Sequence, residues 1–180
     1  MNMMQSRTKR NFAILTVLTA VGIILGYFEN MLAVLPYLPG IKLGLSNVVI
    51  LFMIINFSYK YAFLCGMVKA VVCGMFSGGS GIIYSVCGMI AAVFFMKAAI
   101  KLYRKDMLSE VGISILGSGG FGIGQICASC FMLSSEAPVY YLPVILVFSI
   151  VSGTVTGVLC HIICKRLKKV GFCVYKNKIS

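Results

Sequence analysis

Glu29 … Pro36-Tyr37-Leu38-Pro39-Gly40-Ile41-Lys42-Leu43-Gly44-Leu45-Ser46-Asn47 lies between two long apolar stretches of the chain. An acid, two prolines, a lysine and an amide are costly near bilayer depth. Non-helical backbone persists there only where it is buried in protein or lines a cavity. The run therefore reads as the break between a first and a second membrane span, and as the first place to expect a binding site.

The rest of the chain supports that setting. Of its 180 residues 60% are hydrophobic and 11% charged, and the mean hydropathy is +1.01. That leaves too little polar surface to cover a soluble domain, so the sequence predicts an integral membrane protein. The net charge of +12 falls in short basic clusters between apolar runs. Such clusters report topology rather than nucleic-acid binding.

Six spans are expected, at about 11–35, 43–57, 61–77, 82–101, 109–133 and 139–164, against the ~20 residues needed to cross a ~30 Å core. The fold class is thus an all-α, polytopic bundle of about six helices, with a basic N-terminus (1–10), a transmembrane domain (11–164) and a basic C-terminal tail (165–180). The second span would cover only ~22 Å at ~1.5 Å per residue, so it begins below the surface, with the Pro36–Gly40 turn dipping to meet it. Arg7, Lys9, Arg10, Lys60, Lys97, Lys101, Arg104, Lys105, Lys165, Arg166, Lys168 and Lys169 all fall on one side in this arrangement. By the positive-inside rule both termini are cytoplasmic, in a multi-pass protein of the cell membrane. The start resembles a signal peptide only superficially, because no small-x-small cleavage site follows Phe12.

Several chemistries find no residues here. There is no Gly-x-x-x-x-Gly-Lys-Ser/Thr phosphate loop. Asp106 is the one aspartate, where magnesium-dependent prenyl or phosphoryl chemistry needs several carboxylates. The eight cysteines sit almost entirely inside apolar spans and act as small hydrophobes. Cys127 with Cys130, and Cys160 with His161 and Cys164, lack a second ligand pair and read as packing rather than zinc sites. No enzyme activity, cofactor or metal is expected.

Small residues indicate close helix approach: Gly22 and Gly26 on the first span, Gly66, Ala70 and Gly74 on the third, and Ser149, Gly153 and Gly157 on the sixth. Such faces serve either a partner membrane protein or the bundle itself, and Gly22, Gly26, Gly66, Ala70 and Gly74 are expected to dock a partner helix. Placed by depth, the polar residues are more informative. Glu29 lies ~25 Å and Gln125 ~24 Å along their helices from the cytoplasmic end, Lys42 and Asn47 flank the start of the second span, and Lys69 sits near the middle of the third. Glu136 follows in the outer loop. Glu29 with Lys42 could equally form an interfacial ion pair, and Asn47 and Gln125 could bond neighbouring helices. Their common depth predicts a site loaded from outside for a small solute, anionic or zwitterionic, with Lys42 and Lys69 meeting negative charge and Glu29, Asn47 and Gln125 orienting it.

The stretch Pro39–Asn47, preceded by Glu29, resembles the signature of the Gx transporter family, small membrane proteins often labelled heptaprenyl diphosphate synthase component I. The resemblance extends over nearly the whole chain. Lys69 stands where a basic residue is expected in the third span, and Gly124-Gln125 matches a Gly-Gln pair in the fifth. Gly122-Ile123 occupies positions where relatives commonly carry His-Asn. The resemblance implies a fold similar to the substrate-binding S components of energy-coupling factor (ECF) transporters, which work with a transmembrane coupling subunit and cytoplasmic ATPases. The synthase label implies a different role, a non-catalytic membrane partner of a polyprenyl diphosphate synthase or of a redox complex. Autonomous ion-coupled transport would predict internal repeats, and the two halves show none.

Overall fold

The computed structural model describes residues 2–31, 44–77, 79–103, 105 and 107–169. These residues fold as helices without strands: α1 (Asn2–Met31), α2 (Asn47–Asn56), α3 (Tyr59–Phe76), α4 (Gly79–Tyr103), α5 (Glu110–Leu133) and α6 (Leu142–Lys169), with a 3-10 turn at Ala137–Tyr141 before α6. All six expected spans correspond to a helix. Five stretches, Asn11–Met31, Tyr59–Phe76, Ser80–Tyr103, Glu110–Leu133 and Ala137–Leu167, are long and apolar enough to cross a membrane. The Pro36–Gly40 turn and Lys42 lie outside the described residues, as does the tail beyond Lys169.

The second element is shorter than the 43–57 span expected. Its ten residues reach only ~15 Å, half the thickness of a hydrocarbon core. It occupies the centre of the bundle, touching α1, α3, α4, α5 and α6. Nine of its residues are buried, among them Leu51 and Met53 at 0% exposure. A helix apolar on every side is stable only when enclosed on every side, and the sequence Val48-Val49-Ile50-Leu51-Phe52-Met53-Ile54 meets that condition. The outer helices instead turn large apolar side chains outward, such as Phe12, Val17 and Ile24 on α1 and Val147, Ile150 and Val151 on α6. This inversion of the soluble pattern suits a lipid solvent.

The small residues let the helices close around α2. A methyl group built on Gly22 would lie 3.6 Å from the Lys69 Cδ and from Val49, and one on Gly26 would lie 2.5 Å from the Cys73 Sγ. The α1 pair thus forms a groove for side chains of α3. Ala70 is buried, Gly66 backs onto Met89 and Ile50, and Gly74 meets the Ile82 backbone. On α6, Gly153 and Gly157 press against the α5 backbone at Ile115 and Val111, beside a 2.6 Å hydrogen bond between the Ser114 and Thr156 hydroxyls. In this structure the chain's own helices fill all these faces.

The contacts separate glycines that can accept a methyl group from those that cannot. On Gly74 it would lie 2.5 Å from the Ile82 Cα, a backbone atom that cannot swing aside, whereas on Gly119 its nearest neighbour is 3.9 Å away. Gly74→Ala is expected to destabilise the detergent-solubilised protein by about 1–3 kcal/mol. Gly119→Ala should leave it unchanged or slightly more stable. Thermal unfolding of the two variants measures the difference.

Candidate functional site

The site begins at the entry to α2. Gly44 adopts φ +75°, a left-handed conformation that glycine takes without a Cβ penalty. The chain then turns through Leu45 and Ser46, closed by Asn47 N–H to the Gly44 carbonyl at 2.9 Å and Val48 N–H to the Leu45 carbonyl at 3.1 Å. Ser46 occupies the N-cap position, where a serine hydroxyl ordinarily accepts from the first turn of its helix. Here its hydroxyl makes no cap bond and serves a different purpose.

Glu29, two residues before the end of α1, accepts hydrogen bonds from the turn that leads into α2. One carboxylate oxygen accepts the Gly44 N–H. The other accepts the Ser46 hydroxyl at 2.9 Å and, at 3.4 Å, the Ser46 N–H. From the opposite side, Lys69 Nζ on α3 donates to Ser46 Oγ at 2.8 Å and to Asn47 Oδ1 at 3.3 Å. Glu29, Ser46, Asn47 and Lys69 are each no more than 6% exposed. A carboxylate and an ammonium are therefore buried together, bridged by one hydroxyl that donates to the first and accepts from the second. The carboxylate also faces the positive end of the α2 dipole. These contacts offset the several kcal/mol that each lone ion would cost at this depth.

Gln125 reaches the same region from α5, roughly 12 Å below the end of that helix. Gly124 makes this possible: its missing side chain lets α5 approach α4 so closely that a methyl there would lie 2.6 Å from the Cys87 carbonyl and 2.9 Å from the Gly88 Cα. Two small cavities adjoin the polar set. One, of about 20 Å³, is bordered by Glu29, Ser46, Lys69, Ser85 and Phe121. The other, of about 10 Å³, lies between Asn47, Ser118, Phe121, Gln125, Phe148 and Ser149. Each has room for about one water.

Of the five residues expected at a binding site, the structure brings Glu29, Asn47 and Lys69 into one hydrogen-bonded chain and sets Gln125 across a cavity from Asn47. Lys42 lies outside the described residues. The groups converge on two small cavities, and among the partners of Lys69 and Glu29 are Ser46 and the start of α2. Sequence inspection missed Ser46 and Ser118. Ser118, Phe121, Gly122 and Gln125 fall at i, i+3, i+4 and i+7, one face of a helix, and that spacing was the available signal. Glu136 is exposed, just before the 3-10 turn.

A second polar cluster sits at the other end of the bundle. Tyr103 Oη donates to Glu110 at 3.1 Å, and His161 Nδ1 lies 2.5 Å from the other Glu110 oxygen. Cys160 and Cys164 are buried beside it, with Asn56 donating to the Cys164 Sγ at 3.7 Å. Among the described residues no three His, Cys, Asp or Glu side chains are grouped as metal ligands.

The bridged pair can be tested by a double-mutant cycle. Glu29→Gln or Lys69→Met alone strands a buried charge and is expected to cost about 3 kcal/mol or more. Together the two substitutions should cost clearly less than the sum of the single changes, because neither charge remains. Thermal or denaturant unfolding of the four proteins in one detergent provides the values.

The comparisons with known proteins complete the description. The family model described as heptaprenyl diphosphate synthase component I matches residues 18–163, a range that includes α2 to α5 and every described residue of the site. Neither a search of curated proteins nor one of solved structures gave a match. This membrane-type helical chain belongs to the heptaprenyl diphosphate synthase component I family.

Proposed function

We propose that the protein is the solute-binding membrane subunit of a small-molecule uptake system and carries out no catalysis itself. One observation carries this proposal: polar side chains from α1, α2, α3 and α5 meet around two adjoining cavities inside an otherwise apolar bundle. Ionisable residues within spans mark substrate or ion pathways more often than structural supports. The resemblance of Pro39–Asn47 to the Gx transporter signature points the same way, toward a role like that of ECF substrate-binding components. In that role the protein would sit in the cell membrane with both termini in the cytoplasm. It would load a small polar solute from outside and borrow its energy from a coupling subunit and ATPases.

A second reading rests on the family's own description, which names one component of a heptaprenyl diphosphate synthase. In it the chain is a non-catalytic membrane partner of a soluble prenyl-transferring enzyme, and the buried polar set holds the bundle together.

Native mass spectrometry of the gently purified protein separates the two. The expected result is a retained small molecule on the wild type and none on the inserted, monodisperse fraction of Lys69→Met. An empty wild-type protein that co-purifies with a soluble synthase would favour the second reading.

A further inference from the structure

Three residues that line the smaller cavity each carry a buried side-chain atom without a hydrogen-bond partner among the described residues: Asn47 Nδ2, Ser118 Oγ and Gln125 Nε2. Their residues are 2%, 4% and 4% exposed. Each unpaired group costs stability where it stands, and three on one cavity is not the pattern of helix packing, which would pair them with one another or with backbone. The one further atom of this kind among the described residues, Asn56 Oδ1, belongs to the opposite end of α2.

The orientation of Asn47 is fixed chemically. Lys69 Nζ can only donate, so the amide turns Oδ1 toward it and leaves Nδ2 for the cavity. That nitrogen lies near Gly44, where an added methyl would be 3.2 Å from it and 3.9 Å from Ser118 Oγ. The Asn47 amide thus offers this cavity a hydrogen-bond donor, and none of the described residues lining it carries a charge. Lys69 stands behind Asn47, already engaged with Ser46 and linked through it to Glu29. A carboxylate or phosphate in this chamber would be buried without a cation among the described residues of its wall, an arrangement with a heavy desolvation cost.

We propose that the chamber between α2, α5 and α6 binds an uncharged, hydrogen-bond-accepting group of the solute, an amide carbonyl or a hydroxyl, through Asn47, Ser118 and Gln125. The part of the solute held in this chamber is accordingly a neutral carbonyl or hydroxyl group. This rests on the solute-binding reading above and departs from the expectation, drawn from the sequence, that an anionic or zwitterionic group is what these side chains meet. Phe121 belongs to the walls of both cavities, so displacing its ring joins the neutral chamber to the space beside Glu29 and Lys69 and makes room for a molecule larger than one group.

The test uses the full chain in detergent and probes paired by skeleton: benzamide with benzoate, propionamide with propionate, glycerol with glycerol 3-phosphate. Thermal unfolding is followed across a millimolar titration of each. At least one neutral probe should raise Tm while its charged counterpart does not. Ser118→Ala and Gln125→Met should each weaken that response at least tenfold, with the ligand-free Tm unchanged or higher, since each removes an unpaired group. If the charged probes act and the neutral ones do not, the neutral assignment is overturned while the solute-binding reading stands. No response to any probe overturns the proposal, and a lowered ligand-free Tm in both variants would identify the three groups as structural. Only an empty wild-type protein in native mass spectrometry would remove the broader reading as well.

Discussion

A carboxylate and an ammonium buried in one apolar bundle have to find each other, and in this protein they do so through a single hydroxyl. Glu29 arrives from α1, Lys69 from α3, and Ser46 stands between them at the start of α2. Neither ion could be left alone at that depth without a penalty comparable to the stability of a small protein. The pairing thus fixes the register of three helices at once. It also accounts for the Ser46 hydroxyl, which is engaged between Glu29 and Lys69 and makes no cap bond to its own helix.

The position of α2 follows from the same arrangement. A helix of ten residues cannot cross a bilayer, but it can serve as the core around which longer helices assemble. The outer helices reach it because glycines remove the side chains that would hold them apart. Gly22 admits the stem of Lys69, Gly66 backs onto Ile50 of α2, and Gly124 draws α5 toward α4 at the level of Gln125. Among the described residues α1 and α6 each touch α2 but not one another. The central helix therefore links α1 to α6, while α4, packed on both α3 and α5, joins the two sides of the molecule along their length.

Much of this was legible in the sequence because lipid imposes simple rules. Apolar length marked the helices, and the scarcity of charge made Glu29 and Lys69 conspicuous. The brevity of the second span was visible from 43–57, although its central position was not, since hydropathy reports how apolar a helix is and not what surrounds it. The partner of Lys69 was also hidden. A serine beside an asparagine at a helix start reads as a cap, and only the close approach of α1 reveals its use as a bridge. Ser118 stands among the glycines of 117–124, whose small residues mask the helical spacing that aligns it with Gln125. The small faces on α1 and α3 could not be assigned to partner or self from spacing, because both uses ask for the same residues.

Asn47 is turned by a neighbour that stands behind the chamber wall. An ammonium has hydrogens to give and no lone pair to offer, so the amide must show it oxygen and point its amino end the other way. The sign of recognition is thus dictated from outside the lining. Exchange Lys69 for an acceptor and the same asparagine would rotate in place, presenting a carbonyl where it now presents N–H. Two chains with identical linings of this chamber would then prefer opposite ligands, and the residue that explains the divergence would stand outside that lining.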